Sequence, residues 1–331
     1  MELFSAAMNQ GSISMQEISV IIPNYNGLKF VRGCLDSLRA QTFSGFSVIF
    51  VDNGSTDGSR QLVEREYPEV QVLALPENLG FCGAVNRGIR AAGTPYVVLL
   101  NNDTEAEPHF LEELLSGIRS HRNAFSCAAR MLQFGDRTKI DDAGNFYNAC
   151  GWAFARGKGK PMERYAREGR IFSSCGGAAI YRRDLFEKIG LFDEEHFAYL
   201  EDTDICYRAQ IFGYENWYLP GAIVYHVGSG TTGSRYNHFK IRYSSRNNIY
   251  MIYKNMPWLQ ILINLPFLLA GFGIKLLFFA SKGYGREYAA GIKNGFSLAG
   301  KGKKVKFRWE NLSNYGKIQL QLWVNLVRRF L

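Results

Sequence analysis

Short β-branched runs alternate with helically spaced apolar positions through the first third of the chain. Ile18 to Pro23, Phe46 to Val51, Val70 to Leu75 and Tyr96 to Asn101 read as strands, while Phe30, Cys34, Leu35 and Leu38 recur on one helix face. This alternation predicts an α/β fold, a mostly parallel sheet with flanking helices. Ligands of such sheets bind beyond the carboxyl ends of the strands. The residues found there are Asn24-Tyr25-Asn26-Gly27, Asp52-Asn53-Gly54-Ser55-Thr56-Asp57, Glu77-Asn78-Leu79-Gly80 and Asn101-Asn102-Asp103. Any one of these loops reads equally well as turn-forming and helix-capping residues. Four on one edge of a sheet argue for a site.

From Ala124 to about Gly177 the pattern loses its period and reads as a loop-rich insertion, with mixed charge between Arg156 and Arg170. A helical pattern resumes at Arg183 to Ile189. It is followed by the acidic cluster Glu201-Asp202-Thr203-Asp204, a helix to Ile211, and short strands around Trp217 to Leu219 and Ile223 to Val227. Beyond Asn255 the composition shifts, and Pro257 to Ala280 is almost wholly apolar, interrupted by Gln260, Asn264, Pro266 and Lys275. A membrane-spanning helix needs ~20 such residues. The interruptions predict a flat, interfacial or hairpin-like membrane contact, with a buried helical pair as the soluble alternative. The chain thus divides into a leader (1–17), an α/β domain (18–255) and a C-terminal helical, membrane-associating region (256–331).

A length of 331 residues accommodates one large domain with an appendage. The six cysteines form no C-x-x-C pair and read as reduced, mostly buried thiols of a cytosolic protein. Met1 to Gln16 lacks both the apolar core of a secretory signal and the arginines of a transit peptide. A net charge of +9 suits nucleic acid, anionic lipid or a polyphosphate substrate. Its placement is more telling, since Lys301 to Arg308 and Arg328-Arg329 flank apolar sequence, which favours an anionic membrane surface over nucleic acid. The expected location is cytoplasmic, peripheral on the inner face of the cell membrane. No G-x-G-x-x-G follows the first strand and no G-x-x-x-x-G-K-[ST] occurs, which argues against nicotinamide enzymes and P-loop nucleotidases.

Several residues have chemistry of their own. The Asp52 carboxylate could accept the N3–H of a uracil or thymine base, or simply form an Asx turn ahead of Asn53-Gly54. Asn78 to Gly83 joins an amide, two glycines and an aromatic before a helical run starting near Ala84. Backbone there can approach phosphate or sugar oxygens closely. The cluster at 201–204 suits a carboxylate base for a hydroxyl nucleophile, or merely complements a helix N-terminus. Arg208 lies one turn beyond Asp204, where it braces the cluster or meets phosphate. A lone histidine at a strand end, as His226 is, usually forms hydrogen bonds only.

Taken in order, VIIPNYNG (20–27), VDNGSTDGS (51–59), ENLGFCGAVNRGI (77–89), LLNNDTEAEP (99–108) and YLEDTDICYRA (199–209) resemble the family 2 glycosyltransferases with the GT-A fold, over about 18–255. Within that family the set is most similar to rhamnosyltransferase-type enzymes of bacterial surface polysaccharide synthesis. The resemblance implies a Rossmann-like sheet and a nucleotide-sugar donor, with Pro23, Asn24, Tyr25 and Asp52 around the base and Asn78, Gly80, Gly83, Asn101 and Asn102 completing its pocket. Asn101-Asn102-Asp103 stands where the family carries D-x-D. Asp103 is then the sole carboxylate for a divalent cation, Mg2+ or Mn2+, with His226 as a second ligand. By its place in the family's E-D-x-D pattern Asp202 is the catalytic base, and Gly177, Glu201, Asp204 and Arg208 belong to the acceptor or supporting side. The implied reaction is inverting transfer of L-rhamnose from dTDP-rhamnose, or of another sugar from a UDP donor, to a hydroxyl of a glycan or lipid-linked glycan. A nucleotidyltransferase is disfavoured by Pro23-Asn24-Tyr25-Asn26, where such enzymes carry G-x-G-x-R. A non-catalytic glycan-binding protein is disfavoured by the presence of Asp103 and Asp202, and a processive synthase by the lack of Q-x-x-R-W. Nothing in the residues sets the oligomeric state.

Overall fold

The computed structural model describes residues 16–228 and 236–329, so the expected leader lies almost wholly outside the described residues. The chain opens with β1 (Ile18–Asn24), α1 (Leu28–Arg39), β2 (Phe46–Asp52), α2 (Ser59–Glu66), β3 (Gln71–Ala74), α3 (Gly80–Ala91) and β4 (Tyr96–Leu100). A short β5 (Thr104–Ala106) and α4 (Phe110–Ser120) follow. In this half β1 pairs in parallel with β2 and β4, and β2 with β3. Their β-branched residues face helices on both sides and are almost entirely buried. One face packs on α1, α2 and α4 through Val31, Leu35, Leu62, Phe110 and Leu114, and the other on α3 through Val85 and Ile89.

The segment expected as a loop-rich insertion is instead mostly built into the sheet. It contains β6 (Ala124–Gln133), β7 (Asp136–Asp142), β8 (Asn145–Tyr147), β9 (Ala153–Ala155), β10 (Gly169–Ile171) and, at its end, β11 (Ala178–Arg182). Of these, β8 and β9 form a two-stranded sheet of their own. The strand order is β10-β12-β6-β11-β4-β1-β2-β3, with β5 on β12 and β7 on β6. In that order β12 (Glu215–His226) is one strand rather than the two expected, with an irregular register between Leu219 and Ile223, around Pro220-Gly221. β6 lies between β11 and β12, buried on both faces and rich in small residues, so no alternation of polar and apolar positions survives in its sequence.

Two helices, α5 (Leu185–Ile189) and α6 (Glu201–Ile211), complete the second face. The C-terminal part is helical: α7 (His238–Asn255), α8 (Trp258–Ser281), α9 (Gly285–Ala299) and α10 (Leu312–Arg328). The hairpin or helical pair expected over 257–280 is a single 24-residue helix that runs through Pro266, which is exposed. This helix is inside out. Its buried residues are Gln260, Asn264, Leu268 and Gly271, whereas Trp258, Leu259, Leu262, Leu269 and Leu277 are more than 60% exposed. Gln260 accepts from the Tyr207 hydroxyl at 2.9 Å, and Asn264 exchanges two 2.8 Å bonds with Gln319 of α10. Polar groups therefore anchor α8 to the protein and leave its apolar side uncovered.

Candidate active site

Parallel register explains why the loops converge. Asn24 is level with Asp52, and Asp52 with Ala74, so three loops leave the sheet at one height. Asn24 is their hub. Its Nδ2 donates to Ser59 Oγ at 2.9 Å, Ser55 Oγ at 3.1 Å and Asp52 Oδ1 at 3.4 Å, while its Oδ1 accepts from Asn102 Nδ2 at 2.6 Å. Asn24, Asp52 and Asn102 are buried, Pro23 is half-buried, and Tyr25 beside them is exposed. Asn53, a residue the motif reading passed over, straps the second loop to the third. It donates to Asn78 Oδ1 at 2.9 Å and Gly80 O at 3.1 Å and accepts from Leu79 N–H at 2.9 Å.

α3 starts at Gly80, not near Ala84, because Asn78 Oδ1 accepts the Gly80 N–H at 2.9 Å. Gly80 has φ +72°, and a Cβ there would lie 2.5 Å from the Phe197 carbonyl oxygen, so no other residue fits. Gly83 consequently sits in the first turn of α3, against Leu79, rather than in the loop. Asn101 and Gly177 meet each other, the Asn101 N–H donating to the Gly177 carbonyl at 2.8 Å, and Gly177 is not among the residues lining the cleft described below.

β5 pairs with β12 so that His226 lies opposite Thr104, the neighbour of Asp103. The imidazole is held between two carboxylates: Nε2 faces Asp103 Oδ1 at 3.3 Å and Nδ1 faces Asp141 Oδ2 at 2.8 Å. Lys158 Nζ pairs with the other oxygen of Asp141 at 2.6 Å. Burial alone would lower the basicity of His226, but its hydrogen bonds to Asp103 and Asp141 outweigh that and raise its pKa to about 9. Burial would likewise raise Asp141, and His226 with Lys158 holds it below the usual carboxylate value instead. Asp141 came from the stretch read as an insertion. An Asp-Asp pair at the end of a strand was its one sequence signal.

This donor set fits a divalent cation. Carboxylate oxygen suits Mg2+ and Mn2+, and imidazole nitrogen is acceptable to Mn2+. A metal-binding histidine characteristically turns its other N–H to a carboxylate. Asp141 is that carboxylate for His226, leaving Nε2 to face Asp103. Without a metal, the protonated imidazole supplies the positive charge beside Asp103.

Asp202 heads α6. The turn leading to it is strained, with Phe197, Tyr199 and Leu200 at φ of 61°, 74° and 67°, a cost of about 1–3 kcal/mol per residue. Asn247 of α7 holds that turn, its Nδ2 lying 2.8–2.9 Å from the carbonyls of His196, Ala198 and Tyr199. Asp202 Oδ1 accepts from Thr203 N–H at 2.6 Å and Thr203 Oγ1 at 3.1 Å, and Oδ2 from Asn145 Nδ2 at 3.4 Å. Burial raises both Glu201 and Asp202, and the charge of Asp202 raises Glu201 further. Asp202 is the better tied of the two, with both oxygens accepting side-chain or backbone donors, while Glu201 Oε2 has no partner among the described residues.

Asp204 and Arg208 belong to a separate network. Arg208 holds Asp204 Oδ2 through two bonds of 3.0 and 2.8 Å, and Lys254 bridges Asp204 at 2.9 Å and Asp193 at 2.5 Å. Burial opposes ionisation of Asp204, but Arg208 and Lys254 hold it far below the carboxylate range. Asp193, His196 and Asp204 are close enough together to hold a metal ion. Lys254 and Arg208 together already balance the two carboxylates, and burial keeps His196 neutral, lowered to about 4. The cluster locks α6 to α7.

A cleft of about 430 Å³ opens at Asp202 and runs to α8, lined among others by Asn145, Tyr199, Lys275, Phe279 and Tyr288. None of Asn24, Asp52, Asp103 or His226 lines it. Asp202 thus lines the cleft, and Asn145, which donates to it, lies four residues from Asp141 of the His226 network.

The family model for "Glycosyl transferase family 2" matches residues 19–190. The chain belongs to that family. This family 2 glycosyltransferase is 30% identical over 243 residues to the N-acetylglucosaminyl-diphospho-decaprenol L-rhamnosyltransferase of Mycobacterium tuberculosis, covering 65% of this chain and 78% of that relative. Among solved structures, the mannosyltransferase PcManGT from Pyrobaculum calidifontis with GDP-Man and Mn2+ matches at TM-score 0.54 and 17% identity, over 96% of this chain and 87% of that one. GalNAc-T7 with UDP, GalNAc and Mn2+ matches at TM-score 0.58 and 16% identity, over 72% of this chain, which spans about half of that longer one (48%). S. aureus TarS 1-349 matches at TM-score 0.53 and 19% identity, over 94% and 85% of the two chains. These likenesses support the GT-A fold for the family 2 enzyme, and two of the three neighbours were solved with Mn2+.

Proposed function

We propose that this glycosyltransferase catalyses inverting transfer of L-rhamnose from dTDP-rhamnose to a hydroxyl of a lipid-linked glycan, with Asp202 as the base. The observation that carries this reading is Asp202 itself: a buried carboxylate, oriented by Thr203 and Asn145, that lines an open cleft. Asp202 takes the proton of the acceptor hydroxyl as its oxygen bonds to the anomeric carbon and the nucleoside diphosphate leaves from the opposite face. The three loops joined by Asn24 and Asn53 form the donor pocket, with Pro23, Tyr25 and Asp52 toward the base and Asn78, Gly80 and Asn101 toward the diphosphate and sugar. Asp103 and His226 hold Mg2+ or Mn2+, which when bound supplies charge neutralisation to the leaving diphosphate.

The choice of rhamnose follows the 30% identical rhamnosyltransferase. UDP and GDP-Man, bound in the solved neighbours, define the competing donors. Purified protein presented with a panel of dTDP-, UDP- and GDP-sugars plus divalent cation should release nucleoside diphosphate fastest from dTDP-rhamnose. Release from a UDP-sugar alone would keep the transferase and replace the donor. Release from none of them would overturn the reading.

The uncovered side of α8 lies against the cytoplasmic face of a bilayer, and residues 256–331 form the membrane-associating region behind a catalytic domain of 18–255. Lys301, Lys303, Lys306 and Arg308 are exposed beside it and complement anionic headgroups. Lys304 does not join them. Its Nζ lies 2.5 Å from the Tyr253 carbonyl and 2.7 Å from the Met256 carbonyl, closing the end of α7.

A further inference from the structure

The cleft has a second polar end that the transfer reaction does not use. α8 is fastened beside it at Gly271, where a Cβ would lie 2.1 Å from the Cys150 carbonyl oxygen, so the helix and the 150–152 segment touch backbone to backbone. Trp152 completes the fastening by donating Nε1–H to the Gly271 carbonyl at 3.1 Å. One helical turn later, on the same face, comes Lys275. It is the sole charged residue of the 24-residue helix. Every surrounding exposed position on α8 is apolar, yet Lys275 lines the cleft that begins at Asp202, with Trp152 5.9 Å from its ammonium. No carboxylate is paired with it among the described residues.

Tyr288 of α9 lines the cleft as well. Its side chain is 3% exposed, and its hydroxyl has no hydrogen-bond partner among the described residues. A buried hydroxyl without a partner is unfavourable, and so is an unpaired ammonium withdrawn from water. Both are donors. What they lack in common is an acceptor, and an anion of several oxygens satisfies them together. The walls between them and beyond, Phe279 and the uncovered side of α8, are apolar.

We propose that Lys275 and the Tyr288 hydroxyl form an anion subsite for the phosphate or diphosphate that joins the acceptor sugar to an apolar chain. The acceptor then spans the cleft with its hydroxyl at Asp202, its anionic linker at Lys275 and Tyr288, and its chain along α8. This inference rests on the transferase reading above and specifies its acceptor class. The charge is the discriminating feature: a glycan on a neutral carrier leaves both donors unsatisfied.

The test uses the full chain in mild detergent and tryptophan fluorescence, with farnesyl diphosphate, farnesol and inorganic pyrophosphate as probes. Wild type should bind farnesyl diphosphate at least tenfold more tightly than farnesol or pyrophosphate. Lys275→Met, which keeps the stem and suits an apolar helix, should bring farnesyl diphosphate down to the affinity of farnesol without changing the latter. Lys275→Arg should recover most of the difference, and Tyr288→Phe should lose several-fold. Lys275→Gln serves if the Met variant is not recovered folded. Undiminished farnesyl diphosphate binding in folded Lys275→Met or Lys275→Gln overturns the proposal, and so does equal binding of inorganic pyrophosphate by wild type, which would mark a free-anion site. Acceptor-independent nucleoside diphosphate release by the same preparations separates the two readings: its absence from every donor defeats the transferase assignment, whereas its presence beside Lys275-independent binding defeats this subsite alone.

Discussion

Replacing Asp141 by asparagine removes one oxygen's charge and nothing else of size, yet it should disable the cation site. One Asp141 oxygen accepts from His226 Nδ1 at 2.8 Å and the other from Lys158 at 2.6 Å. An amide can satisfy only one of these two donors. If its oxygen stays on Lys158, its NH2 meets Nδ1, which must then be the unprotonated nitrogen, so that Nε2 carries the hydrogen and points it at Asp103. Loss of such a carboxylate behind a metal-binding histidine typically weakens metal affinity 10–100-fold, or about 1.4–2.8 kcal/mol. Proton competition modifies the outcome. The His226 pKa of about 9 means that binding at Nε2 expels a proton below that pH, and affinity climbs about tenfold per unit as pH rises toward 9. Asp141→Asn lowers that pKa, relieving competition near neutrality while the tautomer defect persists. Titration of Mn2+ under argon by electron paramagnetic resonance from pH 6.5 to 9 should therefore show a shallower slope for the variant and a deficit that widens with pH. Superimposable curves for the two proteins would refute the role of Asp141 and, with it, of His226 as a ligand.

Asp202→Asn should lower transfer at saturating acceptor by roughly 10²–10⁴-fold while leaving donor affinity unchanged; full turnover, or a matching loss in calorimetric donor binding, removes Asp202 as base. Because burial raises the Asp202 pKa, the wild-type rate should fall as pH drops and the carboxylate takes up a proton, a limb missing from the residual rate of the variant. Lys254→Met leaves Asp193 and Asp204 with one cation, Arg208, between them and should destabilise the fold by about 3 kcal/mol in denaturant titration; a change below about 1 kcal/mol would mean the network is dispensable. Flotation with vesicles containing anionic lipid should recover the protein at low salt, and neutralising Lys301, Lys303, Lys306 and Arg308 should release it, at about 1 kcal/mol per charge. Recovery in the soluble fraction for wild type would dismiss membrane contact.

The sequence was most legible where one physical signal dominated. β1, β2 and β4 show as β-branched runs because their residues are buried on both sides, and the loops after them show because parallel register brings their polar residues to one edge. β6 was illegible for the same reason of double burial: with alanine, serine and cysteine in place of branched residues, AFSCAARMLQ has neither strand nor helix period. Asp141 and Asn145 were missed with it, since their importance lies in long-range contacts to His226 and Asp202. Asp202 and Asp204 look alike as letters at the start of a helix. Only packing distinguishes them, because Lys254 and Arg208 reach one and not the other. Pro266 misled in the opposite direction, because an exposed proline leaves α8 continuous.

The stretch 141–145 bears on how mutant data from this site combine. Asp141 fixes the ring of His226, and Asn145, only four positions along the same backbone, touches Asp202. The length of chain between them is short, and within it Asp142 is buried and accepts from the Gly144 N–H at 2.6 Å. Substitutions at the cation end and at the base end therefore share a carrier and should not behave as independent sites. Asp141→Asn and Asn145→Ala, made singly and together, should give rate losses whose free energies depart from additivity by more than the ~0.5 kcal/mol seen for unconnected positions. Strict additivity would show that each end is held by its own surroundings, and that the two halves of the site can be engineered separately.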